Sequence, residues 1–152
     1  MTEKKRATKK QEPDGFSAAE KAAMKEASAE RKRQAKSSNK REAGEKDVRS
    51  KIDELSGSDR AVAEGLHAVV AEHAPQLAPK TWYGMPAYAN ADGKVVCFFQ
   101  AADKFGARYA TLGFQDAAQL DDGDLWATAY AVLGWTPEVE ARVVDLVKRA
   151  AA

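Results

Sequence analysis

This 152-residue chain reads as an α+β protein, with an antiparallel sheet of about four strands packed against amphipathic helices and preceded by a basic N-terminal tail. Eight of the twelve aromatic residues fall between Trp82 and Phe114, in short runs separated by turn residues, as the strands of a small sheet require. Apolar residues on either side of this block repeat at helical spacing. Charge divides the chain as well. Residues 1–46 carry 14 Lys or Arg against 8 Asp or Glu, net +6, and residues 47–152 carry 10 against 15, net −5, within a total of +1. The expected organisation is a flexible tail over 1–46 and one folded domain over 47–152.

Residues 1–15 mix Lys4, Lys5, Arg6, Lys9 and Lys10 with Pro13 and Gly15, and after Met1 they hold no large apolar side chain to offset the entropy of ordering, so they are expected to be disordered. Ser17 and Glu20 then stand at capping-box spacing, and the Ala, Lys, Glu and Arg that follow predict a helix over about 18–35. Met24 is its only large apolar residue, which predicts a solvent-exposed helix that frays. Arg31, Lys32 and Arg33, near its end, are the candidate nucleic-acid contacts, acting on phosphates through counterion release. The plainer reading is a solubilising tail, since interspersed acids dilute the field and the acidic domain should itself repel nucleic acid.

In the domain, Ser37, Ser38, Asn39 and Gly44 read as a linker, after which Asp47 caps a short helix presenting Val48, Ile52 and Leu55. Ser58 or Asp59 opens a second helix with Val62, Leu66, Val69, Val70 and His73 on one face, and Pro75 stops it. His73 and His67 are read as packed or rim histidines. Strand structure begins near Lys80, with a bend or close approach at Gly84, and Met85-Pro86 suits an edge strand or a loop. Asp92-Gly93 signals a hairpin into a strand over 94–101; Val95 to Phe99 are apolar at every position, which predicts burial on both faces. Alternation at 109–114 gives a third strand, residues 115–120 a helical turn, and residues 125–132 a last strand. Thr136 and Pro137 start a closing helix striped by Val139, Val143, Leu146, Val147 and Ala150.

No nucleophile, base and orienting group can be assembled from this sequence, so no catalytic residue is assigned and the expectation is a non-enzymatic binding domain. The single cysteine, Cys97, excludes an internal disulfide and sits in an apolar run that suits an inert thiol. With no signal-peptide core and no run of 18 apolar residues, a cytoplasmic monomer without membrane attachment is expected. Trp82, Tyr83, Met85 and Tyr88, beside Gly84 and Pro86, are expected to line a small-ligand site. Asp121, Asp122 and Asp124 form the only tight carboxylate cluster, a candidate hard-oxygen metal site set against a plainer reading as loop and cap residues.

The segments Trp82-Tyr83-Gly84-Met85-Pro86-Ala87-Tyr88, Gly93-Lys94-Val95-Val96 and 109–114, in that order, resemble the YdhG-like domain family over roughly residues 47–150. The family includes frataxin-like bacterial iron chaperones and members of unknown function. The resemblance implies helices against an antiparallel sheet, in agreement with the reading above. It also makes iron a candidate cargo, for which the three aspartates are the only ligands the sequence offers.

Overall fold

Trp82 and Met85 face each other across a turn made by Tyr83 and Gly84, both at positive φ (51° and 76°), so the expected first strand is a hairpin of two. Positive φ at both central positions matches the right-handed twist of paired strands, and glycine at the second takes it without strain. The computed structural model describes residues 16–36 and 40–152; the expectations for residues 1–15 and for the Ser37 to Asn39 linker lie outside them. Its elements are α1 (Ala18–Lys36), α2 (Lys40–Asp53), α3 (Gly57–His73), β1 (Ala78–Trp82), β2 (Met85–Ala89), β3 (Val95–Gln100), β4 (Ala110–Phe114), β5 (Ala129–Val132) and α4 (Pro137–Ala150). The strands form one antiparallel meander in the order β1-β2-β3-β4-β5, an α+β fold with five strands where about four were expected.

Register assigns the two faces of the sheet. Tyr88, Cys97 and Phe114 line up across β2, β3 and β4, and Phe99, Leu112 and Tyr130 across β3, β4 and β5. This face packs with Val48 and Ile52 of α2, Val62, Leu66, Val69 and Val70 of α3, and Val143, Leu146 and Val147 of α4 as the hydrophobic core. An irregularity after Tyr88 leaves Val96 as an extra residue between paired positions, and it is buried in the same core beside Cys97. The opposite face carries Lys80, Trp82, Ala87, Phe98, Thr111, Gly113, Ala129 and Ala131. Among the described residues no helix covers its middle: Phe98 and Thr111 are half-buried, and Ala129 and Ala131 are exposed. The expectation that β3 is covered on both faces is therefore corrected. Its apolar outward residue, Phe98, lies over Gly113, where a Cβ would collide with the ring.

The start of the domain also differs from expectation. Gly44 is not linker but lies inside α2, buried where a Cβ would strike the backbone carbonyl of Pro79. Helix α2 thus begins at Lys40, ahead of the expected boundary at 47, and Arg41 Nη2 donates to the carbonyl oxygens of Pro75 (2.7 Å) and Leu77 (3.3 Å).

Helix α1 forms where the capping residues predict, with the Glu20 amide donating to Ser17 Oγ at 3.1 Å; the Glu20 carboxylate accepts from the same hydroxyl at 3.3 Å instead of returning to the Ser17 amide. Most of its surface is exposed. One narrow face nevertheless docks, through buried Ala23, Ala27 and Glu30, and polar contacts hold it there. Glu30 Oε1 accepts from the Gly84 amide at 2.9 Å, and Glu26 bridges Lys51 (3.0 Å) and Lys104 (3.4 Å). Burial alone would raise the Glu26 carboxyl, but the two lysines outweigh it and hold its pKa below the usual range. At Glu30 burial wins, and the pKa rises. Thr81 Oγ1 lowers it in part without completing a hydrogen bond, and is the one buried side-chain oxygen lacking a partner among the described residues.

At the other end Thr136 and Pro137 start α4 as expected, the Val139 amide donating to Thr136 Oγ1 at 3.2 Å. The Asp92-Gly93 hairpin also forms, as a three-residue loop in which Gly93 has φ 79° and Asn90 Oδ1 accepts from the amides of Asp92 and Lys94, both at 3.0 Å. Strand β5 starts later than expected, and Leu125 and Trp126 are exposed in the loop before it.

Candidate functional site

The four residues expected to line one ligand site are divided by the sheet. Trp82 and Met85 pair on the outer face, and Tyr88, three residues after Met85, points into the core with 1 % of its surface exposed. Its hydroxyl lies 2.8 Å from His67 Nδ1, and His67 Nε2 lies 2.7 Å from Glu45 Oε1. A carboxylate only accepts, so Nε2 carries a proton, and in the neutral ring Nδ1 then accepts from the Tyr88 hydroxyl. Burial pushes the phenol pKa well above its ordinary value, with Cys97 and Glu45 adding to the rise. Tyr88 therefore ties β2 to α3. Tyr83 and Met85 share a groove of about 330 Å³ with Phe16 and Met24 of the α1 region, while Trp82 lines a separate concavity.

One cleft gathers four cations from three segments. Arg31 of α1, Lys40 and Arg41 at the start of α2, and Lys80 of β1 line about 600 Å³ together with the loop after β2, and Asp92 is the single acid among the described residues that line it. Arg41 is pinned by the Pro75 and Leu77 carbonyls, so it is held in place before a ligand arrives. Of the three cations singled out in the sequence, only Arg31 lines the cleft; Arg33 lies 3.8 Å from Asp47, and Lys32 is exposed.

A second concavity of about 310 Å³ adjoins the first and shares Lys80 and Gly93 with it. Trp82, Lys94, Val95, Gln115, Asp116 and Ala117 complete its lining. Trp82 makes edge contacts with Tyr83 (ring centroids 5.0 Å apart, 77°) and Phe98 (5.2 Å, 61°), which fix its ring on the outer face. The sequence signal for this arrangement is the alternation of Lys80 and Trp82, which puts a cation and an indole on one face of one strand.

The remaining candidates lie apart. Asp121, Asp122 and Asp124 are exposed in the loop between β4 and β5, and among the described residues no group of three or more His, Cys, Asp or Glu is placed to hold a metal ion. His73 Nε2 is 3.7 Å from Glu72 at the end of α3. Cys97 is fully buried, and burial pushes its thiol up to about 12, consistent with an inert side chain. No helix among the described residues is long and apolar enough to cross a membrane.

No family model, no curated protein and no solved structure matches the chain.

Proposed function

We propose that this protein is a non-enzymatic binding domain for phosphate-bearing anions, which it holds in the cleft of Arg31, Lys40, Arg41 and Lys80. The observation that carries this reading is the convergence of four cations on one concave site, with a single acid among its described lining residues, in a chain whose residues 47–152 are net acidic. Guanidinium and ammonium groups suit phosphate oxygens, and two carbonyls already fix one of the guanidinium groups. The cleft joins a helix of the basic N-terminal part to the sheet, so the domain takes part in binding and the cations near the chain start are not left to act alone.

Titration of the full chain with inorganic tripolyphosphate at low and moderate salt tests the reading. Lys80→Glu and Arg31→Glu should each weaken binding by about tenfold, with steep loss on adding salt. Unchanged binding in both variants overturns it.

A further inference from the structure

We infer that the ligand of this cleft is a single-stranded nucleic acid, with Trp82 as the side chain on which a base stacks; the inference rests on the phosphate-binding reading above. The basic cleft and the concavity at Trp82 are continuous through Lys80 and Gly93, so phosphate-binding cations and a flat aromatic surface share one path. Lys80 and Trp82 stand two residues apart on one face of β1, about 7 Å along the strand, and Lys94 flanks the indole from the loop before β3. Cations that follow a backbone beside an aromatic ring that accepts any base are the two parts of a single-strand site.

Other phosphate ligands fit this surface less well. Both concavities are open to solvent, whereas a small ligand such as a free nucleotide is held by a pocket that buries most of its surface. A strand gathers many partial contacts along an open shelf and needs no enclosure. Duplex keeps its bases stacked on each other and offers none to Trp82. Gln115 and Asp116, both exposed at the rim, supply an amide and a carboxylate to the edge of a base resting on the indole.

The test uses the full chain with fluorinated tryptophan, titrated with a short oligothymidylate and followed by fluorine NMR, the Trp82 resonance being assigned from Trp82→Phe. The expected result is a shift of that resonance on adding oligothymidylate and none on adding inorganic tripolyphosphate, which should compete for the same cleft. Trp82→Leu should weaken oligothymidylate binding about tenfold, Trp82→Phe less, and both should leave tripolyphosphate affinity unchanged. Because Trp82 also touches Phe98, Lys94→Glu provides a second variant, expected to weaken oligothymidylate alone. If tripolyphosphate binds and oligothymidylate leaves the Trp82 resonance in place, the nucleic-acid inference falls and the phosphate cleft stands. Thymidine triphosphate or a short duplex binding as tightly as the single strand also overturns it. If neither tripolyphosphate nor oligothymidylate binds, both readings fall together.

Discussion

The hydroxyl of Tyr88 and Nδ1 of His67 lie 2.8 Å apart and join the sheet to α3 through a contact that also reaches Glu45 of α2. Tyr88→Phe removes the donor and leaves a half-buried ring nitrogen without its partner, which should cost about 1–3 kcal/mol. Glu45→Gln acts on an exposed carboxylate and should cost less. Urea unfolding of the two variants checks the order.

Cys97 gives the stability an alkaline limb. Its thiol ionises near 9.0 in the unfolded chain and is pushed by burial to about 12 in the folded one, so above pH 9 the unfolded state holds fewer protons. Stability from this group is complete below pH 9 and is lost as pH rises toward 12, at up to about 1.4 kcal/mol per pH unit. Tyr88, raised in the same direction, steepens the fall above pH 10. Cys97→Ala should lower stability at neutral pH by leaving a small cavity, yet flatten the decline between pH 9 and 10, as thermal melts across that range would record.

Asp59 was legible only as a helix start. Its carboxylate instead reaches across to the segment after β3, with Oδ1 accepting from the Ala102 amide at 3.0 Å and Oδ2 from the Asp103 amide at 3.1 Å, and the residue is buried. Asp59→Asn replaces one acceptor oxygen by a donor facing an amide, at a cost of about 1–3 kcal/mol. Loss of hydrogen-exchange protection at Ala102 and Asp103 should accompany it.

Helix α1 docks through charge and hydrogen bonds beside two small buried side chains, Ala23 and Ala27. Glu30 is buried with its pKa raised, so its charged form is held at a cost, whereas the neutral amide of glutamine also accepts from Gly84. Glu30→Gln should therefore keep or strengthen docking at neutral pH, and Glu30→Ala should weaken it. For the wild-type carboxyl the sign agrees: a raised acid favours the docked state as pH falls, and that contribution is lost as pH rises through the folded pKa. Hydrogen exchange of the α1 amides distinguishes the variants.

Local signals were read from the sequence more reliably than contacts between distant segments. Thr136 with Pro137, and Asn90 with Gly93, act within a few residues of themselves, so their chemistry fixes their geometry wherever the chain goes. A bend at Gly84 was expected, but not a tight turn that pairs Trp82 with Met85, because tyrosine carries no signal for positive φ; without that turn Trp82 and Tyr88 were put in one site when the sheet separates them. Docking of α1 was missed for another reason. An apolar pattern reports only apolar burial, and Glu26 and Glu30 hold this helix by pairing with Lys51, Lys104 and the Gly84 amide. The basic cleft escaped likewise, since Arg31 and Lys80 meet only after the chain has folded.

The boundary at 47 yields the sharpest test of how the N-terminal segment and the domain divide. Cutting there removes the start of α2, with Arg41 bound to the Pro75 and Leu77 carbonyls, Gly44 against Pro79 and Glu45 on His67. It keeps Val48 and Ile52, both fully buried, but on a helix shortened to residues 47–53, too short to hold its place by its own propensity. Residues 40–152 retain all of these contacts and lose only those of α1, chiefly the partly buried Glu26 ion pairs, the Glu30 bond to Gly84 and the small buried side chains of Ala23 and Ala27. The expected outcome is that 40–152 gives well-dispersed amide spectra and melts a few degrees below the full chain, while 47–152 melts at least about 10 °C lower or fails to fold. Equal melting temperatures for the two truncated chains would show that the first turns of α2 add nothing to the core they lie against.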